Sequence, residues 1–330
     1  MVYCSSNYCG RDWRRYCRGR LVVQRTLSLK QLFPQAEFNV SVAPYTTFGI
    51  GGEAAAILIV KEPAELTAAI SLARANKISY RLIAGGSNVV FSDKIFQGLL
   101  IIFCDGGTSK LDHTCHCQGV ALTVNASAPL SELIKGAIKN NLAGLEALSG
   151  IPGTVGGAIV GNAGAYGQSI SDHLVAVEVW DGKKTKWLEK KACKFNYRDS
   201  IFKHKNLVIL RAKFKLESGD KKALVKKSRE IIKTRNKKYA PGLRCPGSFF
   251  KNIVQPDGSK IPAGKLLEAV GAKGMRVGGI YVADFHGNLL INDGQGTYAD
   301  VKKLASKLKQ KVLKKFGIKL EEEVRYIDGI

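Results

Sequence analysis

The sequence of 330 residues is short of several things, and each shortage excludes a class of protein. Long apolar runs are missing: the best is Ala54–Val60, far below the roughly 18 residues a membrane-spanning helix needs. A secretory leader is not expected either. The first 25 residues carry Arg11, Arg14, Arg15, Arg18, Arg20 and Arg25, and Leu21–Val23 is too short for an apolar signal core. Eight cysteines are scattered without one C-x-x-C pair, and a chain this large has no need of staples, so reduced thiols and a cytoplasmic location are expected. At 45% hydrophobic and 24% charged, the composition excludes collagen-like, coiled-coil and disordered chains. Acidic residues are the last shortage: 27 against 51 basic ones leave a net charge of +24. Such a field attracts anions, whether nucleic acid, phosphate-bearing cofactors or nucleotide sugars, without choosing among them.

What is plentiful is glycine, at 35 residues, as expected where backbone must approach a ligand closely. The length suits two domains. Residues 1–25 differ from the rest, with six of the fifteen Arg, three of the eight Cys and no Lys. They read as a basic extension, disordered in part, or as upstream sequence translated from a misplaced start; the C-x4-C-x7-C spacing of Cys4, Cys9 and Cys17 fits no common zinc pattern. From Val40 strands and helices alternate. Strands are expected at Ala55–Val60, Arg81–Ile83, Leu99–Phe103, Val120–Val124, Val175–Trp180, Leu207–Leu216 and Val324–Ile327, and helices at Pro63–Lys77, Ser131–Asn141, Lys221–Lys238 and Ala299–Phe316. Asp181-Gly182 signals a hairpin. Lys221–Lys238 carries nine Lys/Arg in eighteen residues; with Leu224, Val225, Ile231 and Ile232 as one buried stripe, it reads as a solvated helix rather than a nucleic-acid surface.

The glycines cluster in Thr47-Phe-Gly-Ile-Gly-Gly52, Ala84-Gly-Gly-Ser-Asn88, Ile151-Pro-Gly-Thr-Val-Gly-Gly-Ala158 and Gly161-Asn-Ala-Gly-Ala-Tyr-Gly167. Successive glycine N–H groups with Ser or Thr hydroxyls suit a pyrophosphate held without lysine. Any one cluster is better explained as a tight turn; several within 120 residues favour a dinucleotide cofactor. Gly258–Leu266 misses a P-loop by one residue and by its Ser/Thr, and Gly294-Gln-Gly296-Thr-Tyr-Ala299 reads as a turn and helix cap. Three polar blocks carry chemistry: Tyr197-Arg198-Asp199-Ser200, Pro246-Gly-Ser-Phe-Phe-Lys-Asn252 and Glu321-Glu-Glu-Val-Arg325. His113, Cys115, His116 and Cys117 lack a distant partner pair, so no metal site is expected.

Taken in order, these blocks resemble the UDP-N-acetylenolpyruvoylglucosamine reductases, the MurB family of UDP-N-acetylmuramate dehydrogenases. The resemblance runs from about Val40 to Ile327 and rests on Tyr45–Gly52, Gly85–Asn88, Gly144–Gly153, Gly161–Gly167, Tyr197–Lys203, Gly247–Asn252 and Leu320–Arg325; Gly156–Ala158 followed by Asn162–Gly167 looks like the shorter, type II branch. It implies an α+β fold: a PCMH/vanillyl-alcohol-oxidase-type FAD-binding region of two α+β subdomains, here residues 40–218, then a substrate-binding α+β domain, residues 219–330, behind an atypical extension, residues 1–39. It implies non-covalent FAD, with NADPH as co-substrate. NADPH would reduce the flavin and leave, and the enolpyruvyl UDP-sugar would then take hydride at its β-carbon and a proton at its α-carbon. The product, UDP-N-acetylmuramate, is a peptidoglycan precursor. By resemblance Arg198, Ser248 and Glu323 are catalytic, Ser248 as proton donor. Thr47, Gly49, Gly85, Gly86, Ser87, Asn88, Ile151, Gly153, Gly156, Gly157, Gly164 and Tyr166 would line the cofactor, and Tyr197, Lys251, Asn252 and His286 the substrate. A monomer is implied, with no membrane or nucleic-acid partner. Ile253, Glu322 and the stretch Leu243–Pro246 depart from the family pattern; the last suggests an approach to Ser248 shaped in its own way.

Overall fold

The computed structural model describes residues 27–105, 112–116 and 119–328; the expectations placed on residues 1–25 and on Cys117 lie outside them. Two sheets make up the first half. In one, Glu37–Ser41, Glu53–Val60, Phe96–Phe103 and Tyr80–Ile83 lie side by side in that order, the first pair antiparallel and the others parallel. Glu53–Val60 and Phe96–Phe103 are covered on both faces, which is why they read as nearly unbroken apolar runs. Pro63–Ala75 packs on this sheet through Leu66, Ala69, Ile70 and Ala73, one face of a 3.6-residue period.

The other sheet is antiparallel, in the order Thr185–Glu189, Leu174–Trp180, Val208–Ser218, Gly119–Asn125 and Asp112–His116. The hairpin expected at Asp181-Gly182 forms: Trp180 faces Thr185, and the Asp181 carboxylate accepts from the Lys183 and Lys184 amides at 3.0 Å each. Leu122, Val124, Ala212, Phe214 and Leu216 of this sheet share one core with Leu58, Leu99 and Ile101 of the first.

A second core lies under the long helix Tyr298–Phe316, which buries Val301, Leu304, Ala305, Leu308 and Val312. Thr297 caps its start: the Asp300 amide donates to the Thr297 hydroxyl and the Thr297 amide to the Asp300 carboxylate, both at 3.1 Å. So the glycine-rich approach to this helix is a turn and cap, as expected. Phe48 and Ile50, from the first glycine cluster, are buried in this second core rather than the first. The chain then returns, and Arg325–Ile327 pairs parallel with Val89–Phe91.

Two expectations need correction. Order begins ahead of Val40: Ser28 caps a short helix at Leu29–Leu32, and Phe33 is buried in the first core. In Lys221–Lys238 the expected stripe is not uniformly buried. Leu224 is, but Ile232 is 39% exposed. The inner face continues instead through polar anchors two turns apart: Ser228 bonds to Ser149 at 2.8 Å, and the Arg235 stem lies against Gly150. The apolar residues nearest in sequence fall beside that line.

Replacing Thr297 by Ala removes one cap from the helix that organises the second core. A loss of about 1 kcal/mol is expected, read as a lower denaturation midpoint. An unchanged midpoint would show that the cap is idle.

Candidate active site

The glycine loops at 84–88 and 151–153 meet backbone to backbone. A Cβ on Gly85 would lie 3.1 Å from Gly153 Cα, and one on Gly153, whose φ is 103°, 2.8 Å from the Ser87 hydroxyl oxygen. Gly86, at φ 62°, has room for no side chain because the Tyr45 carbonyl stands where a Cβ would go. Among the described residues, the amides of Gly85, Gly86 and Ser87 donate to no protein acceptor. A row of free N–H groups in a cradle without side chains fits a pyrophosphate, so this part of the expected cofactor set suits FAD.

Other members of that set serve the protein itself. Thr47 ties two loops together, its hydroxyl donating to the Cys245 carbonyl at 3.0 Å and its amide to Gly86 at 3.1 Å. Gly49 is held by Asn292, which donates to its carbonyl at 3.1 Å. The Gly156 amide bonds to Ala126 and the Gly157 amide to the Thr154 hydroxyl, so neither is a free donor. Ile151 is half-buried and its amide donates to Leu148. Gly164 pairs with Ser169 in a two-stranded ribbon whose turn carries Tyr166, 57% exposed. Asn88 donates to the Glu323 carbonyl at 3.2 Å and accepts from the Arg325 amide at 3.1 Å, so it joins the glycine cradle to the segment that carries Glu323.

Arg198 and Glu323, 125 residues apart in sequence, come within 2.9 Å. Backbone exchange sets the carboxylate in place: the Glu323 amide donates to Phe249 at 2.8 Å and the Lys251 amide to Glu321 at 2.9 Å. Arg198 sits at φ 53°, a left-handed conformation that an arginine adopts only when its surroundings enforce it. Here Lys203 donates to its carbonyl at 2.6 Å. Arg198 Nε lies 2.9 Å from a Glu323 carboxyl oxygen, and the guanidinium pulls the carboxyl's pKa down. Burial pushes the Glu323 carboxyl above the ordinary carboxylate range, against the pull of Arg198, Lys203 and Lys251. Burial likewise pushes Lys203 below the usual lysine range, helped by Lys251. The site thus holds a carboxyl whose pKa is raised by burial, set beside a fixed cation.

Ser248 stands on the turn just before Phe249 and bonds to the Tyr239 hydroxyl at 3.1 Å. Asn288 fixes the next residue, accepting from the Phe250 amide and donating to its carbonyl, each at 2.8 Å. A pocket of about 230 Å³ opens here, lined among others by Ser248, Asn252, Lys238, Lys265 and His286. The expected substrate residues are therefore not gathered in one place. Asn252 and His286 line the pocket, whereas Lys251 pairs with Glu321. Tyr197 accepts from the Asn252 amide at 3.2 Å and lies under Lys260. His286 is held neutral, its pKa lowered by burial and by Lys238. Sequence reasoning assigned nothing to Lys203, Asn288, Arg235 or Tyr239. Lys203 stood at the end of a block already singled out, Tyr197–Lys203, and Asn288 two residues from His286, but the other two carried no local signal.

Known proteins similar to this chain fall in one family. The family model described as UDP-N-acetylenolpyruvoylglucosamine reductase, C-terminal domain, matches residues 239–327, and that of an FAD binding domain matches residues 54–188. The UDP-N-acetylenolpyruvoylglucosamine reductase of Solibacter usitatus is 40% identical over 299 residues, covering 86% of this chain and 94% of that protein. That of Carboxydothermus hydrogenoformans is 37% identical, covering 88% and 93%. The crystal structure of the Thermus caldophilus reductase superposes with a TM-score of 0.69 at 31% identity, covering 88% of this chain and 98% of that one.

The Glu323 carboxyl titrates higher in the folded chain than its unfolded value of about 4.3. Its neutral form therefore favours folding below that value, and the gain is lost as pH rises through the folded pKa. Glu323→Gln cannot lose it. Thermal melts across acid to neutral pH should show the wild type falling relative to Glu323→Gln as pH increases. A constant difference would remove the raised pKa.

Proposed function

Because the chain belongs to the UDP-N-acetylenolpyruvoylglucosamine reductase family, we propose that it is an FAD-containing oxidoreductase reducing UDP-N-acetyl-3-O-(1-carboxyvinyl)-glucosamine to UDP-N-acetylmuramate, with NADPH as the hydride source. We assign the cofactor to residues 40–218 and the nucleotide sugar to residues 219–330. The observation that carries the reading is the Arg198–Glu323 pair set beside the Ser248 turn.

Gly85, Gly86 and Ser87 would hold the pyrophosphate of FAD, which would supply the chemistry of hydride transfer from NADPH to the enol ether. The residues of the chain do the rest. Hydride addition at the β-carbon pushes negative charge toward the carboxylate-bearing α-carbon, and a fixed guanidinium lowers the barrier by meeting that charge. Arg198 is suited to this: its backbone is locked by Lys203, and its guanidinium is held beside Glu323, with Nε 2.9 Å from the carboxyl oxygen. Glu323, inclined to stay protonated, donates a hydrogen bond to the same developing enolate, where an ionised carboxylate would repel it. Ser248 gives the proton to the α-carbon. The pocket behind it, with Lys238, Lys265 and Asn252, takes the phosphate and sugar groups.

The test is the visible spectrum of the purified protein. A flavin band should bleach under anaerobic NADPH and return when the enolpyruvyl nucleotide sugar is added. A band that bleaches but ignores that substrate makes the chain a different flavin oxidoreductase; no flavin, bound or taken up, overturns the reading. Arg198→Gln should keep the bleaching step and slow the return of the band by about 10²–10³-fold, the usual cost of one lost oxyanion donor.

A further inference from the structure

Ser248 has a partner that the reaction as described leaves unused. An aliphatic alcohol is a much weaker acid than a phenol, so a serine that protonates carbon needs a second group to refill it. The Tyr239 hydroxyl lies 3.1 Å from the Ser248 oxygen, and in this hydroxyl–hydroxyl contact either atom can donate. The phenol ring is held by a small apolar cluster of Cys245, Ala283, Leu289 and Ile291, with Leu243 and Tyr281 packed against it. Leu243 and Cys245 belong to the strap between Tyr239 and Ser248 whose sequence departs from the family pattern; packed into this cluster, they hold one end of the contact relative to the other.

The electrostatics around the ring are lopsided. Arg235 Cζ lies 5.3 Å from the ring centroid and Lys238 Nζ 5.7 Å. Neither cation forms an ion pair among the described residues, and the Arg235 Nε–H has no hydrogen-bond partner. Both cations sit over the ring, Arg235 half-buried and Lys238 exposed, where they are attracted to its face and favour negative charge on its oxygen. Lys238 and Ser248 also line the pocket, so water reaches this corner.

We propose that Tyr239 relays the proton through Ser248, with Arg235 and Lys238 carrying the transient phenolate charge. The inference rests on the reading of Ser248 as proton donor. In the step the enolate electron pair forms the α-carbon–hydrogen bond as the Ser248 O–H bond breaks. The Ser248 oxygen takes the Tyr239 proton in the same motion, leaving a phenolate. Water in the pocket returns a proton to Tyr239, and no electron moves beyond the enolate pair.

Tyr239→Phe keeps the ring and removes only the hydroxyl. In the flavin-loaded variant, bleaching by NADPH should match the wild type, because that step involves neither hydroxyl. Product formation in a single turnover of the pre-reduced enzyme, read by rapid quench, should fall by about 10–100-fold, with KM little changed and an altered solvent deuterium isotope effect. Ser248→Ala and the double variant, run in parallel, should be equally slow, since a relay acts as one unit. Wild-type product formation and isotope effect in Tyr239→Phe would overturn the relay, as would a change in KM alone or additive losses in the double variant. If instead Ser248→Ala itself turns over normally, it is the assignment of Ser248 that fails, and the two failures are told apart.

Discussion

The return of the chain's last strand onto Val89–Phe91 is the constraint on which the rest depends. Parallel pairing of Arg325–Ile327 there fixes where the preceding carboxylates lie. Exchange of backbone hydrogen bonds with 249–251 then fixes them a second time. Asn88 ends the glycine cradle and is also hydrogen-bonded to Glu323 and Arg325. One short parallel pair therefore sets three things at once: the proposed cofactor loop, the buried carboxyl, and the turn that carries Ser248. Arg198 enters from the other side, on a loop strained into the left-handed region, and completes the group.

The excess of positive charge takes on two meanings in this frame. Most of it is solvated, as along Lys221–Lys238, where half-buried polar anchors replace the expected apolar stripe. A smaller part is concentrated. Lys203 and Arg198 crowd one carboxyl, and Arg235 and Lys238 flank one phenol. Clustered cations of this kind favour an anionic ligand or a developing negative charge beside them. At the Glu323 carboxyl desolvation outweighs the pull of its cationic neighbours, and its pKa is raised.

Much of the local structure was legible. Pro63–Ala75, Lys221–Lys238 and Tyr298–Phe316 announce themselves through caps and period, and the Asp181-Gly182 turn through its chemistry. Less legible were the short elements: Glu37–Ser41, Val89–Phe91, Val155–Val160 and Ala263–Ala269 are too brief for periodicity to register. The glycine clusters pointed to the right loops without separating their roles. Gly85 and Gly86 present free amides, whereas Gly156 is a glycine because Ala126 leaves no room for a Cβ.

By itself, then, the sequence determined the longer helices and strands and the set of polar blocks from which a site could be made, because caps, turns and apolar period act over a few residues; the α+β class came through the resemblance those blocks carry. Only the tertiary structure decided which of those blocks meet. The Arg198–Glu323 contact spans 125 positions and depends on a strand pairing that no local pattern encodes. Tyr239 lies only nine residues from Ser248 in sequence, yet their contact depends on an intervening strap being packed against Ala283, Leu289 and Ile291. Burial decides protonation in the same way: Glu321, Glu322 and Glu323 are three identical letters in a row, and desolvation pushes the carboxyl of Glu323 upward in pKa while Glu321 stays out in solvent.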